Sequence, residues 1–148
     1  MASFQHWKIH PAPSGNAQPG SFWLFAILDF ADYAGKVATN DTFNILKIKA
    51  GWIIRESFYR IARGSDVGAD WEIGIGGGTE IKDVSTTTTA STAWVHGSYT
   101  SAAPYLNSAD KYITVQTTDA AETKGKLEVL LEIVAAPNNA EPVDSAEI

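Results

Sequence analysis

The sequence predicts an all-β fold, an antiparallel β-sandwich or jelly-roll-like single domain with an extended N-terminal arm, and three observations carry that prediction. Residues 126–134 read KLEVLLEIV, with Leu127, Val129, Leu131 and Ile133 on one face and Lys126, Glu128, Leu130 and Glu132 on the other. That period-two alternation marks a strand with one face on a core and the other mostly in water. Shorter apolar, β-branched or aromatic runs precede it, about eight strands in all at irregular spacing, with almost no helical pattern between them. No fixed-period repeat is present, which argues against propellers and solenoids.

In order along the chain, residues 1–20 read as an arm. Pro11, Pro13 and Pro19 with Gly15 and Gly20 keep any helix or strand short, while Phe4, Trp7 and Ile9 are apolar anchors that a solvated tail would not require. An extended docking arm is therefore expected. The sandwich is expected over residues 21–134. Residues 22–30 are almost wholly apolar, which suits a strand covered on both faces or lying in a contact between copies, and Phe22, Trp23, Phe25 and Phe30 are the expected subunit interface. Residues 32–38 fit a single helical turn. Residues 42–48 and 52–61 fit strands joined through Lys49, Ala50 and Gly51, where Gly51 can take a turn conformation closed to other residues. Residues 70–75 form a further strand, stopped by Gly76, Gly77 and Gly78, with a weak run at 80–84. The stretch STTTTAST at 85–92 is an exposed edge or a long loop. Residues 94–99 are a short strand, 101–110 a loop around Pro104, and 112–117 is expected to pair with 126–134 across a turn at 119–125. Residues 135–148 hold Glu141, Asp144 and Glu147, no bases, and two prolines, so a mobile acidic tail is expected there.

Composition narrows the function. A chain of 148 residues suits one domain, and the lack of cysteine removes disulfides, thiolate nucleophiles and Cys-based metal sites. No apolar run approaches the roughly 20 residues of a spanning helix, and the start MASFQHWK lacks a basic end followed by an apolar stretch, so a soluble protein made without a signal peptide and without a membrane partner is expected. Acids outnumber bases 17 to 11, for a net charge of -6 with scattered bases, which argues against a nucleic-acid partner. Five Trp, five Tyr and six Phe supply core and interface residues.

No constellation points to a reaction. His6 and His10 have metal-ligand spacing for a helix, but Pro11 and Pro13 follow them and no carboxylate lies nearby. His96 with Ser98 lacks a nucleophile-elbow pattern. The glycines at 74–78 invite a phosphate-loop reading, yet Glu80 puts an anion where an anion would bind, so a wide turn at the rim of a sandwich is expected. Asp66 and Asp70 in a Gly-containing segment lack the dense carboxylates of a recognisable calcium loop. No pair of acids is singled out for glycoside cleavage. No enzyme activity, metal or cofactor is therefore expected. The remaining alternative is a lectin-like, sugar-stacking platform made from Trp52, Trp71, Trp94, Tyr99 and Tyr105.

Three segments, LFAILDFAD at 24–32, FNILKIKAGWII at 43–54, and ADKYITV at 109–115 followed by GKLEVLLEIV at 125–134, together resemble the head decoration, or cement, proteins of tailed bacteriophages. The resemblance spans roughly residues 22–134 in strand-and-turn rhythm. It implies a β-sandwich subunit that assembles as a homotrimer on the outer surface of a virion. Its partner would be the major capsid protein, whose neighbouring subunits it bridges, with synthesis in the host cytoplasm. The docking arm with Phe4, Trp7 and Ile9 would then lie across the shell; the alternative within such a particle is a carbohydrate- or receptor-binding module of the phage tail or fibre, with the Ser/Thr-rich and aromatic loops as its contact surface.

Overall fold

The computed structural model describes residues 3–5, 21–33 and 35–135. Among the described residues ten strands run in chain order: β1 (Ser3–Gln5), β2 (Ser21–Asp29), β3 (Thr42–Ile48), β4 (Trp52–Arg63), β5 (Asp70–Ile75), β6 (Lys82–Val84), β7 (Val95–His96), β8 (Tyr105–Leu106), β9 (Lys111–Thr118) and β10 (Lys126–Ala135). A 3-10 turn at Phe30–Tyr33 follows β2, close to the single helical turn expected a little further on. One sheet, A, has the order β1-β3-β9-β5-β6, and the other, B, has β2-β10-β4-β7, with β8 also on β4. The two sheets pack face to face as a β-sandwich, the class predicted. Pairing is antiparallel throughout these ladders except for β1 on β3, which is parallel.

The core lies between the sheets and follows the alternation read from the sequence. Leu127, Val129, Leu131 and Ile133 of β10 face Ile73 of β5 and Ile113 and Val115 of β9 across it, with Leu24, Ala26 and Leu28 supplied by β2. Phe30, Phe43 and Trp71 form an aromatic knot at one end, with Phe30 edge-on to Phe43 at 5.2 Å between centroids. At the other end Gly51, at φ 87°, turns the chain from β3 in one sheet to β4 in the other. Buried Asn107 clasps this corner: Gly51 N–H donates to its carbonyl at 2.7 Å, and its side-chain amide donates to the Lys49 carbonyl at 2.8 Å.

One expected pairing is corrected. Residues 112–117 and 126–134 do not pair; β9 lies between β3 and β5 in sheet A, and β10 between β2 and β4 in sheet B. The segment between them, read as a turn, is a strap from one sheet to the other with its own buried anchor. Glu122 is fully buried; one carboxylate oxygen accepts from Trp71 Nε1 at 2.9 Å, and the other from the backbone N–H groups of Thr123, Lys124 and Gly125 at 3.0–3.1 Å. These bonds compensate a charge that would otherwise be costly to bury. Gly125 passes so close to the Trp71 ring that a Cβ would lie 2.2 Å from it, which fixes glycine there. A second correction concerns Glu128, placed by alternation on a watery face. It is 8% exposed, because β10 is central in its sheet and Arg60 of β4 covers it, donating from Nε at 2.7 Å.

Candidate interaction surface

The outward face of sheet B is built from four adjacent strands whose side chains meet in rows, because directly opposed residues on paired strands share a face. One row runs Phe25–Leu130–Phe58–His96. A second holds Trp23, Glu132 and Glu56, and a third Ile27, Glu128 and Arg60. Beyond the Trp23 row, Val134 of β10 and Ile53 of β4 lead to Leu106 of β8. The rings form a connected ledge: Trp23 lies 6.4 Å from Phe58, Phe58 stacks at 4.5 Å on His96, and Phe25 meets Trp94 edge-on at 6.2 Å. The Arg60 guanidinium sits 4.7 Å over the Trp94 ring while also bonding Glu128, so both its apolar face and its charge are used. Trp23 at 37% and Leu106 at 63% exposure are large apolar side chains left in water on this face. At the far end of the face Arg63 of β4 pairs with Asp29 of β2.

The outward face of sheet A is of the opposite kind. Its rows run Asp83–Glu72–Gln116–Thr42 and Asp70–Thr118, with Asn44 and Thr114 alongside. Glu72 has its carboxyl pushed up by burial against the sheet and then by Asp83, Asp70 and Asp119. Asp70 is raised by burial first and then by Asp119 and Asp83, and it shares a carboxyl–carboxyl hydrogen bond with Asp119. A shallow groove of about 500 Å³ opens on this face between Asn44, Tyr112 and the Gly76–Gly77 loop.

The predicted site residues are dispersed over this frame. Trp7 and Ile9 lie outside the described residues, as do His6, His10 and the acidic tail. Phe4 stands in β1, in register with Phe43 of β3. Trp23 and Phe25 are on the ledge, and Phe22 packs edge-on to Trp52 at 4.9 Å at the rim of the core. Phe30 is fully buried between Phe43 and Trp71, so it belongs to the core and not to the surface of this chain. The five rings considered as a sugar platform are not brought together: Trp71 is in the core, Trp52 is on Phe22, Trp94 is under Arg60, and Tyr99 stacks on Tyr105 at 5.0 Å. The Tyr99 hydroxyl is pushed up to about 12 by burial, then by Glu80 and Tyr105.

The glycine loop has its own anion. Glu80 accepts the Ile75 N–H at 2.9 Å and its carboxylate crowds Gly78, while Gly76 and Gly77 take positive φ. Asp66 accepts from Thr123 Oγ1 at 2.6 Å, whereas Asp70 is engaged with Asp119 on sheet A. Among the described residues no group of three or more His, Asp or Glu side chains is arranged to hold a metal ion. His96 Nε2 lies 3.8 Å from Glu56, and the Ser98 hydroxyl donates instead to the Ile81 carbonyl.

Phe58, Leu130, Ile53, Val134 and Leu106 complete the ledge and were not singled out from the sequence. A β-bulge explains part of this: the β4–β10 register shifts so that Ile54 opposes Ile133 and Glu56 opposes Glu132, leaving Arg55 as the extra residue. The outward positions of β4 are therefore odd before the bulge and even after it, which a strict alternation cannot show.

No protein-family model matches the chain, and no curated protein matches it. Among solved structures it is similar to a chain of the "Acidic stable capsid structure of Helicobacter pylori bacteriophage KHP30", at 10% identity and a TM-score of 0.49, covering 82% of this chain and 92% of that one. At that level the similarity assigns no role to this chain.

Proposed function

We infer that this chain is a structural virion protein that decorates a bacteriophage capsid from outside, bridging neighbouring major capsid protein subunits and meeting its own copies, as a trimer in the cement-protein pattern its sequence resembles. The observation that carries the reading is the aromatic ledge on sheet B. An outward sandwich face in a solitary domain is usually polar, as it is on sheet A, and a contiguous apolar face marks a place where another protein sits. Trp23, Phe25 and Phe58 are its anchors, with Arg60 held by Glu128 and Trp94 in a fixed pose that suits an interface hot spot. The tip of the arm is engaged in β1, so Trp7 and Ile9 are the arm residues left to lie on the shell. The role is mechanical and requires no catalysis, metal or cofactor.

The test is co-sedimentation with empty shells built from the cognate major capsid protein, run beside a glycan array. Shell binding by the native chain, weakened in a Trp23→Ala, Phe58→Ala variant that no longer associates with its own copies but keeps its melting curve, is the expected result. Glycan binding without shell binding would overturn the reading in favour of a receptor module.

A further inference from the structure

We propose that the outer edge of β3 is a strand-acceptor site that copies of this chain fill for one another, the tip Ser3–Gln5 of one copy pairing with Thr42–Asn44 of its neighbour. The proposal draws on the self-association in the reading above and not on shell binding, so the two fail separately.

The acceptor is visible in the structure. β3 carries β9 on one side and takes β1 on the other, in register Ser3 with Thr42, Phe4 with Phe43 and Gln5 with Asn44. The edge therefore accepts an added strand of this very sequence. The ladder is three residues long and parallel, the arrangement with slightly weaker pairing per residue. So short a strand is held chiefly by the high local concentration that its tether provides. Along the same side of β3, residues 45–48 have no pairing from β1.

The tether is longer than the connection within one copy requires. β1 and β2 end their sheets on the same side of the sandwich, where Phe30 and Tyr33, just after β2, pack on Phe43 of β3. Facing sheets lie about 10 Å apart, and because Ser21 is at the end of the nine-residue β2 remote from Phe30 the connection must also run about 25 Å along the strand, so roughly nine residues would make it. Between Gln5 and Ser21 there are 15 residues. Extended, they reach about 50 Å, more than three times the roughly 15 Å radius of gyration of a domain this size. Exchange remakes the same hydrogen bonds in a neighbour, so it needs only a second contact to hold the copies together, and the ledge on sheet B supplies one.

The absence of cysteine makes the test direct. Ser3→Cys and Thr42→Cys in one chain place thiols at paired positions, within the reach of a disulfide. After oxidation at a concentration where the chain self-associates, a non-reducing denaturing gel should show mostly covalently linked oligomers; a monomer band alone would overturn the proposal. Refolding the two single-cysteine chains together, with tags of different mass, should give the mixed disulfide, and its absence would count equally against exchange. Deleting residues 1–5 keeps the inference testable without any disulfide: the melting transition should persist while self-association weakens at least tenfold. Unchanged self-association would show that the tip stays at home.

Discussion

The two outward faces of this sandwich are made from strands of the same kind and are opposite in character. Sheet A presents threonines, amides and a crowd of carboxylates, with Glu72 and Asp70 held against their neighbours' charge. Sheet B presents Trp23, Phe25, Phe58 and Leu130, and its most buried carboxylate, Glu128, is matched by a guanidinium. A face that faces only water can carry unpaired like charges at small cost, because solvent screens them. A face that will be covered needs apolar anchors, and its charges need partners. On the proposed function, B is the side that is covered and A the solvated one.

The largest expected effect breaks this contrast outright. A charge placed in the centre of the ledge, Phe58→Glu, should weaken association between copies about 100-fold or more, in line with the 2–4 kcal/mol of a buried aromatic hot spot. The same charge on the other face, Gln116→Glu, should change it by less than about threefold, as for a residue outside an interface. Sedimentation velocity over a concentration series measures both, and equal losses would remove the distinction between the faces.

A second, smaller effect compares the two carboxylates. Glu128→Gln removes the charged partner of Arg60 and should lower unfolding stability by about 1–3 kcal/mol in urea titrations. Glu72→Gln removes a repelled charge and should leave stability unchanged or slightly higher. Loss of similar size at both positions would mean the acids of sheet A are paired after all.

The smallest effect is in pH. Asp70 and Glu72 have folded-state carboxyls raised above their unfolded values, so between the two the native state holds protons that the unfolded chain has released. Stability from these groups is therefore greatest below the ordinary carboxylate range, about pH 4, and is lost as pH rises through the raised values. Relative to an Asp70→Asn, Glu72→Gln variant, the native sequence should gain stability as pH falls from 7 toward 4. A difference between the two that is flat in pH would refute the crowding on sheet A.

Much of this frame was legible in the sequence. The alternation of β10, the strand at Asp70–Ile75 and the positive φ of Gly51 follow from period and glycine chemistry, which are local. The partners of β9 and β10 were not legible, because a strand's neighbour depends on which sheet it enters, and the Glu122 anchor that sends the chain across is a tertiary bond between residues 51 apart. Trp23 and Phe25 could be read as surface anchors from an apolar run. Phe30 shares the even-numbered phase of Leu24, Ala26 and Leu28, which faces the core, while Trp23 and Phe25 are in the odd phase; the run is apolar in both phases, so its composition alone did not set Phe30 apart. Phe58 and Ile53 share a face only through the bulge at Arg55.

The strap that carries the chain from β9 to β10 is one instance of a wider habit. Among the described strands, β5 and β6 are the one pair of sequence neighbours joined directly in a ladder; every other ladder joins segments distant along the chain. Such a topology has high contact order, so the entropy of closing long loops must be lost before any sheet is complete. Refolding is expected on the millisecond-to-second scale typical of β-sandwiches, with the Asp70–Val84 hairpin as its one locally encoded nucleus. During that interval the rings destined for the ledge and those destined for the core are equally exposed. Newly made chains would therefore be most vulnerable to aggregation before the sandwich closes.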